Sequence, residues 1–108
     1  MAERAIIWTK TANIQLEEIL KYWVQRNKSN IYSKKLLKVI TKRTIQLSES
    51  PYIGKLTDFE KTRTVSLGQF SIFYQITTEK IIITVFWDNR QNPEKLLQIL
   101  QEKINKQQ

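Results

Sequence analysis

The hydrophobic pattern of this chain changes period partway along, and that change constrains the fold more than any other feature. Between Ala12 and Leu47 apolar side chains recur at helical spacing, whereas between Val65 and Ile76 they recur at every second residue. A period of 3.6 marks a helix with one buried stripe, and a period of 2 marks a strand with one buried face. The first stripe (Ala12, Leu16, Ile19, Leu20, Trp23 and Val24) predicts a helix. Thr9 or Thr11 opens it, because a hydroxyl there accepts from an otherwise unpaired backbone N–H. Glu17 and Lys21 stand four apart on the opposite face, in the favourable order. The pattern runs down at Arg26-Asn27-Lys28, and Ser29 or Asn30 opens a second helix with Ile31, Leu36, Leu37, Ile40 and Leu47 turned inward. That helix stops at Ser48-Glu49-Ser50-Pro51, where proline cannot continue it. Two striped helices joined by a short link form an antiparallel hairpin.

Strands account for most of the remainder. Arg4 to Trp8 reads as a short first strand, and residues 51–62 read as irregular, punctuated by Pro51 and Gly54. Val65 and Leu67 alternate with Thr64 and Ser66 up to Gly68-Gln69, where a leading glycine suits a type II′ hairpin turn. Phe70, Ile72, Tyr74 and Ile76 continue the alternation, and Thr78-Glu79-Lys80 turns the chain again. Ile81 to Trp87 is apolar almost throughout, as expected of a central strand covered on both faces. Asn92 as cap and Pro93 as first residue then open a last helix carrying Leu96, Leu97, Leu100 and Ile104. The expected order is β-α-α-β-β-β-α: one α+β domain over residues 1–108, its helical hairpin packed on a largely antiparallel four-stranded sheet.

Composition narrows the chemistry. The 108 residues include neither cysteine nor histidine, which removes thiol chemistry, the commonest metal ligand and the commonest neutral-pH base. No cofactor or metal is expected. Glu17-Glu18, Asp58 and Glu60 make no ligand pattern, and the isolated Gly54 and Gly68 make no phosphate loop. Met1-Ala2-Glu3-Arg4 lacks an apolar signal core, and Ile81–Trp87 is too short to span a bilayer, so a cytoplasmic protein with no membrane partner is expected. Eighteen Lys+Arg against ten Asp+Glu leave a formal charge of +8, a field that concentrates polyanions and acidic proteins. Lys34, Lys35, Lys38, Lys42 and Arg43 give the second helix a one-signed face, which also reads as an ordinary solvated surface.

Cationic side chains are therefore the candidates for function. Positive charge stabilises the charge that gathers on a phosphoryl group in transfer, and RNA brings its own 2′-hydroxyl nucleophile. Arg63 and Arg90 are the candidate catalytic residues. With Lys55 and Lys61 in the preceding loop they are also candidates for nucleic-acid or target binding, converging on an exposed sheet face. Each has a plainer reading: Lys61 and Arg63 as charges guarding a strand edge, and Arg90 as the partner of Asp88 or of turn carbonyls. Trp8, Trp23 and Trp87 read as core.

Four stretches together resemble the RelE/ParE superfamily of toxins from type II toxin–antitoxin systems. They are Ile7-Trp8-Thr9 with Ala12, Leu16, Ile19 and Tyr22; Leu47 with Ser50-Pro51 and Gly54; Phe70 to Ile76; and Phe86 to Pro93. The resemblance implies a small basic toxin held silent by an acidic antitoxin wrapped around it. It implies one of two targets: ribosome-bound mRNA, cut without metal as RelE-like members do, or DNA gyrase, poisoned as ParE-like members do. Arg63 and Arg90 match basic positions of the mRNA-cutting set. The arginine expected before Ile72-Phe73-Tyr74 is Ser71, and the tyrosine expected near the C-terminus falls on Leu96. Those departures tilt the expectation towards gyrase. A basic module that merely docks nucleic acid is the remaining alternative.

Overall fold

A computed structural model describes residues 3–107. The elements are β1 (Ala5–Trp8), α1 (Lys10–Asn27), α2 (Ile31–Glu49), a single 3-10 turn (Pro51–Ile53), β2 (Lys55–Leu56), β3 (Thr62–Leu67), β4 (Phe70–Ile76), β5 (Lys80–Asp88) and α3 (Pro93–Gln107). They form a five-stranded mixed sheet in the order β1-β5-β4-β3-β2, with β1 parallel to β5 and every other pairing antiparallel. The α+β architecture matches the sequence expectation, with one strand more. That strand, β2, lies in the stretch expected to be irregular. Two residues carry no readable alternation, so only pairing with Thr64 and Arg63 of β3 reveals it.

Capping follows the sequence at both ends of the chain. Thr9 Oγ1 accepts from Ala12 N (3.2 Å) and donates to Thr84 O (3.3 Å), so the residue that starts α1 also pins it to β5. Asn92 Oδ1 accepts from Glu94 N (2.9 Å) and starts α3 in the same way. The β3–β4 hairpin turns at Gly68, with φ of +63°.

The helical hairpin covers one sheet face. Ala12, Leu16 and Ile19 of α1 and Leu36, Ile40 and Leu47 of α2 pack on Val65, Leu67, Phe70, Ile72, Tyr74, Ile81, Ile83 and Phe86. Ile31 and Leu37 do not join them: both are exposed, and α2 instead buries Ser33, Thr44 and Ser48. These small side chains allow close packing, and their hydroxyls remain satisfied. Ser33 donates to Leu20 O across the hairpin (2.9 Å), Thr44 to Thr41 O (2.9 Å) and Ser48 to Ile45 O (2.6 Å).

The opposite face has its own smaller core, in which Phe73, Val85 and Trp87 meet Leu96, Ile99 and Leu100 of α3, with Phe59 alongside. Leu97 points outward, and the Ile104 side chain lies outside the described residues. β5 is thus covered on both sides, as its apolar run predicts. A β-bulge divides its two halves: Tyr74 pairs with Ile83 but Phe73 pairs with Val85, leaving Thr84 as the extra residue. The bulge resets the alternation, so Phe86 and Asp88 face the same side as Ile83. Among the described residues, no helix is long and apolar enough to cross a membrane.

Candidate functional site

Arg90 lies two residues beyond the end of β5 and is fixed from two directions. Asp88 Oδ1 accepts from Arg90 N (3.0 Å) and Nε (3.1 Å), and Oδ2 accepts from Nη2 (2.8 Å). The guanidinium also lies over the Trp23 ring of α1, 5.1 Å from its centroid. Arg26, one turn further along α1, approaches the same ring at 5.9 Å. Trp23 in turn meets Tyr22 edge-on and Tyr32 at a tilt. A cleft of about 760 Å³ opens beside this cluster, between α1 and α3, floored by Phe86 and Trp87 and bordered by Gln15, Tyr22, Arg90 and Ile99.

Burial alone would raise the Asp88 carboxyl, but the bonds and charge of Arg90 outweigh it and hold the pKa below the ordinary value. A depressed carboxylate pKa contributes stability that is present above the unfolded pKa, about 3.9, and is lost as pH falls through the folded value. In Arg90→Ala the charge and the two side-chain bonds are lost and only the backbone N–H of residue 90 still opposes burial, so the Asp88 pKa should rise from its native value and the pH-dependent stability it contributes should shrink. The Tm gap between the native chain and Arg90→Ala is therefore expected to be widest above about pH 5 and to narrow towards pH 3. Thermal unfolding across that range checks it; a gap independent of pH would mean Asp88 is not held by this pair.

Arg63 occupies a different place. It shares a sheet face with Val65 and Leu67, so it points towards the hairpin side. Its Nη1 donates to Gly54 O (2.8 Å), and its guanidinium lies 5.1 Å from the Tyr52 ring centroid. Beneath it the buried Tyr74 hydroxyl donates to Pro51 O (2.7 Å) and accepts from Gly54 N (2.9 Å). Burial pushes this phenol's pKa up, with Gly54 N–H and Arg63 opposing. Arg63 and Tyr74 together fasten the 3-10 turn to the sheet.

The four expected cations do not converge on one exposed sheet face. Arg63 pairs with Tyr74 and Asp88 pairs with Phe70, four residues earlier in β4. That separation is roughly 13 Å along the strands and roughly 10 Å across two of them. Lys55, opposite Thr64, lies on the sheet face away from Arg63, and Lys61 sits in the loop before β3 with φ of +55°; both are exposed. Part of the face expected to be open is instead covered by α3. Ser71, where the resemblance raised the expectation of an arginine, donates to Asn89 Oδ1 (2.9 Å), and Leu96 packs into the second core.

Sequence reasoning did not single out Arg26, Tyr52 or the Tyr74 hydroxyl. Arg26 was within reach of it, because a residue three after Trp23 shares its helix face. The Tyr52 and Tyr74 contacts depend on how the irregular segment folds back, which no local pattern encodes.

No curated protein matches this chain significantly. Among solved structures, a chain of the chromosomal ParDE TA system from P. aeruginosa superposes with a TM-score of 0.68 at 19% identity, covering 78% of this chain and 94% of that one. At that identity the likeness speaks for the fold, and it agrees with the architecture that the sequence resemblance implies. The family described as the ParE toxin of type II toxin–antitoxin systems, parDE, matches residues 6–93, from the second residue of β1 to the first residue of α3. With that match running through the hairpin, the sheet and the Arg90 turn, the chain belongs to the ParE family of type II toxin–antitoxin toxins.

Proposed function

We propose that this toxin acts on DNA gyrase in the cytoplasm and is silenced there by an acidic antitoxin, and that it does not cut ribosome-bound mRNA. The observation that carries the reading is the separation of Arg63 from Arg90, each already engaged at its own end of the sheet. A scissile phosphate must lie within about 3 Å of the groups that stabilise it. Arg63 is bound to Gly54 O on the hairpin side, and Arg90 is held by Asp88 and Trp23, so neither is aimed at a shared point. Ser71 and Leu96 add no cation and no acid–base group. In this reading Arg63 and Arg90 fix the local structure, while the exposed Lys55 and Lys61 contact the target.

The test pairs two assays on the same cells after induction. Gyrase inhibition is expected to relax or break plasmid DNA, leaving primer-extension maps of mRNA unchanged, and purified toxin is expected to stop supercoiling by purified gyrase. Cuts within the codons of translated messages, with supercoiling intact at saturating toxin, would overturn the proposal and return Arg63 and Arg90 to a catalytic role.

A further inference from the structure

The whole net charge of this chain sits on the helical hairpin. Between Glu18 and Glu49 the sequence carries eight Lys+Arg and no acidic residue. The rest of the chain holds ten Lys+Arg (18 less eight) against all ten Asp+Glu, and is formally neutral. Lys34, Lys38 and Lys42 follow one another at i, i+4 and i+8 with Lys35 beside them, on the side of α2 turned away from Leu36, Ile40 and Leu47. All four lysines are exposed, and the row from Lys34 to Lys42 is roughly 12 Å long. Arg26 and Lys28, also exposed, add to the charge at the tip of the hairpin. Among the described residues the one ion pair is Arg90–Asp88, so none of these cations is neutralised.

Solubility asks for charge, but not for charge of one sign in one place. α3 meets that need with mixed signs, Glu94, Lys95 and Glu102. On α2 the pairs Lys34–Lys38 and Lys38–Lys42 are like charges four apart, which weaken a helix instead of supporting it. A one-signed row kept at that cost fits a partner that is itself a row of negative charge.

We propose that this strip grips the phosphate backbone of duplex DNA without reading its sequence. The cations of the row are lysines, compact point charges on flexible stems, which suit phosphates better than the fixed fork that reads base edges. The centre of a protein–protein contact is depleted in lysine and enriched in aromatics, the reverse of this face. Single strands are held by stacking on exposed aromatic rings. The one aromatic of α2, Tyr32, is half-buried and packs on Trp23 instead. A second copy of this chain would present lysine to lysine. Binding to DNA stands by itself; only its role, tethering the toxin to the DNA that gyrase holds, rests on the target proposed above.

The test follows the fluorescence anisotropy of a labelled duplex of roughly 20 bp titrated with the full chain, with no gyrase present. The logarithm of the binding constant is expected to fall linearly with that of the salt concentration, with a slope of about −4 to −5. Lys34→Gln/Lys38→Gln/Lys42→Gln should flatten that slope by about 3 and weaken binding about tenfold or more near 0.1 M salt. Lys55→Gln/Lys61→Gln/Lys80→Gln leaves the same net charge of +5 (15 Lys+Arg against ten Asp+Glu) and should keep the affinity within about twofold. Equal losses in the two variants would mean that overall charge binds, and would overturn the proposal. Failure to bind the duplex, or tighter binding of a single strand or of a polyglutamate peptide, would overturn it equally. Supercoiling by purified gyrase is assayed separately. Duplex binding through α2 with supercoiling intact would remove the gyrase reading and keep this inference, and inhibition without duplex binding would do the reverse.

Discussion

Gly54→Ala should lower the stability of this domain by about 2–4 kcal/mol, a large fraction of what a chain this size has to lose. The reason is space and not backbone freedom, since Gly54 has an ordinary extended conformation with φ of −73°. A Cβ built there would overlap the Tyr74 hydroxyl and lie 2.8 Å from Cε1 and Cζ of the same ring. Tyr74 is fully buried, so its ring cannot swing into solvent. Moving it would break the bonds to Pro51 O and from Gly54 N, and would disturb the carbonyl that Arg63 holds. Tyr74→Phe keeps the ring but strands both backbone groups, for about 1–3 kcal/mol. Because the phenylalanine also makes room for the new methyl, the double variant should cost less than the sum of the singles. Gly68→Ala is the control: a Cβ there meets nothing within 4 Å, and only its left-handed φ of +63° resists, for about 1–2 kcal/mol. Chemical denaturation of the four variants measures all of this. A Gly54→Ala change within about 0.5 kcal/mol of the native chain would mean the 3-10 turn is not clamped as described.

How much of this was legible in the sequence depends on whether a feature is local. The change of period gave the order of the helices and the three longer antiparallel strands, because burial on one face leaves its mark every two or every 3.6 residues. The misassignment of Ile31 and Leu37 came from reading apolar letters as inward. α2 buries Ser33, Thr44 and Ser48, whose hydroxyls are satisfied within the hairpin, and leaves the isoleucine out. Arg63 was expected on an exposed sheet face, although the parity it shares with Val65 and Leu67 already assigns it to the hairpin side. The position of Arg90 was not legible. Strict alternation from Ile81 places Asp88 on the sheet face opposite the hairpin. The bulge at Thr84 reverses that, and a bulge is a property of two paired strands.

The same bulge sets up the second large effect. Phe86→Ala is expected to cost about 3–5 kcal/mol, because the bulge turns Phe86 into the hairpin core instead of towards α3. Phe86 is fully buried, stacked on Phe70 with centroids 5.4 Å apart and planes 18° apart, and tilted against Trp8 at 6.2 Å. Its backbone N–H donates to Gln15 Oε1 of α1 (2.9 Å), so the residue joins β5 to the hairpin through both side chain and main chain. The cavity left by alanine would open directly between α1 and the sheet, where rigid strands limit collapse. A double-mutant cycle with Phe70→Leu should return a coupling of about 0.5–1.5 kcal/mol from the stacked pair, and Trp8 fluorescence should report the loosening. Val85→Ala, one residue earlier but on the α3 side, should lower stability without a coupling to Phe70. If Val85 coupled to Phe70 and Phe86 did not, β5 would be running without its bulge. Asp88 would then face away from the hairpin, and Arg90 could not reach Trp23. The position of Arg90 thus depends on one extra threonine in the strand before it.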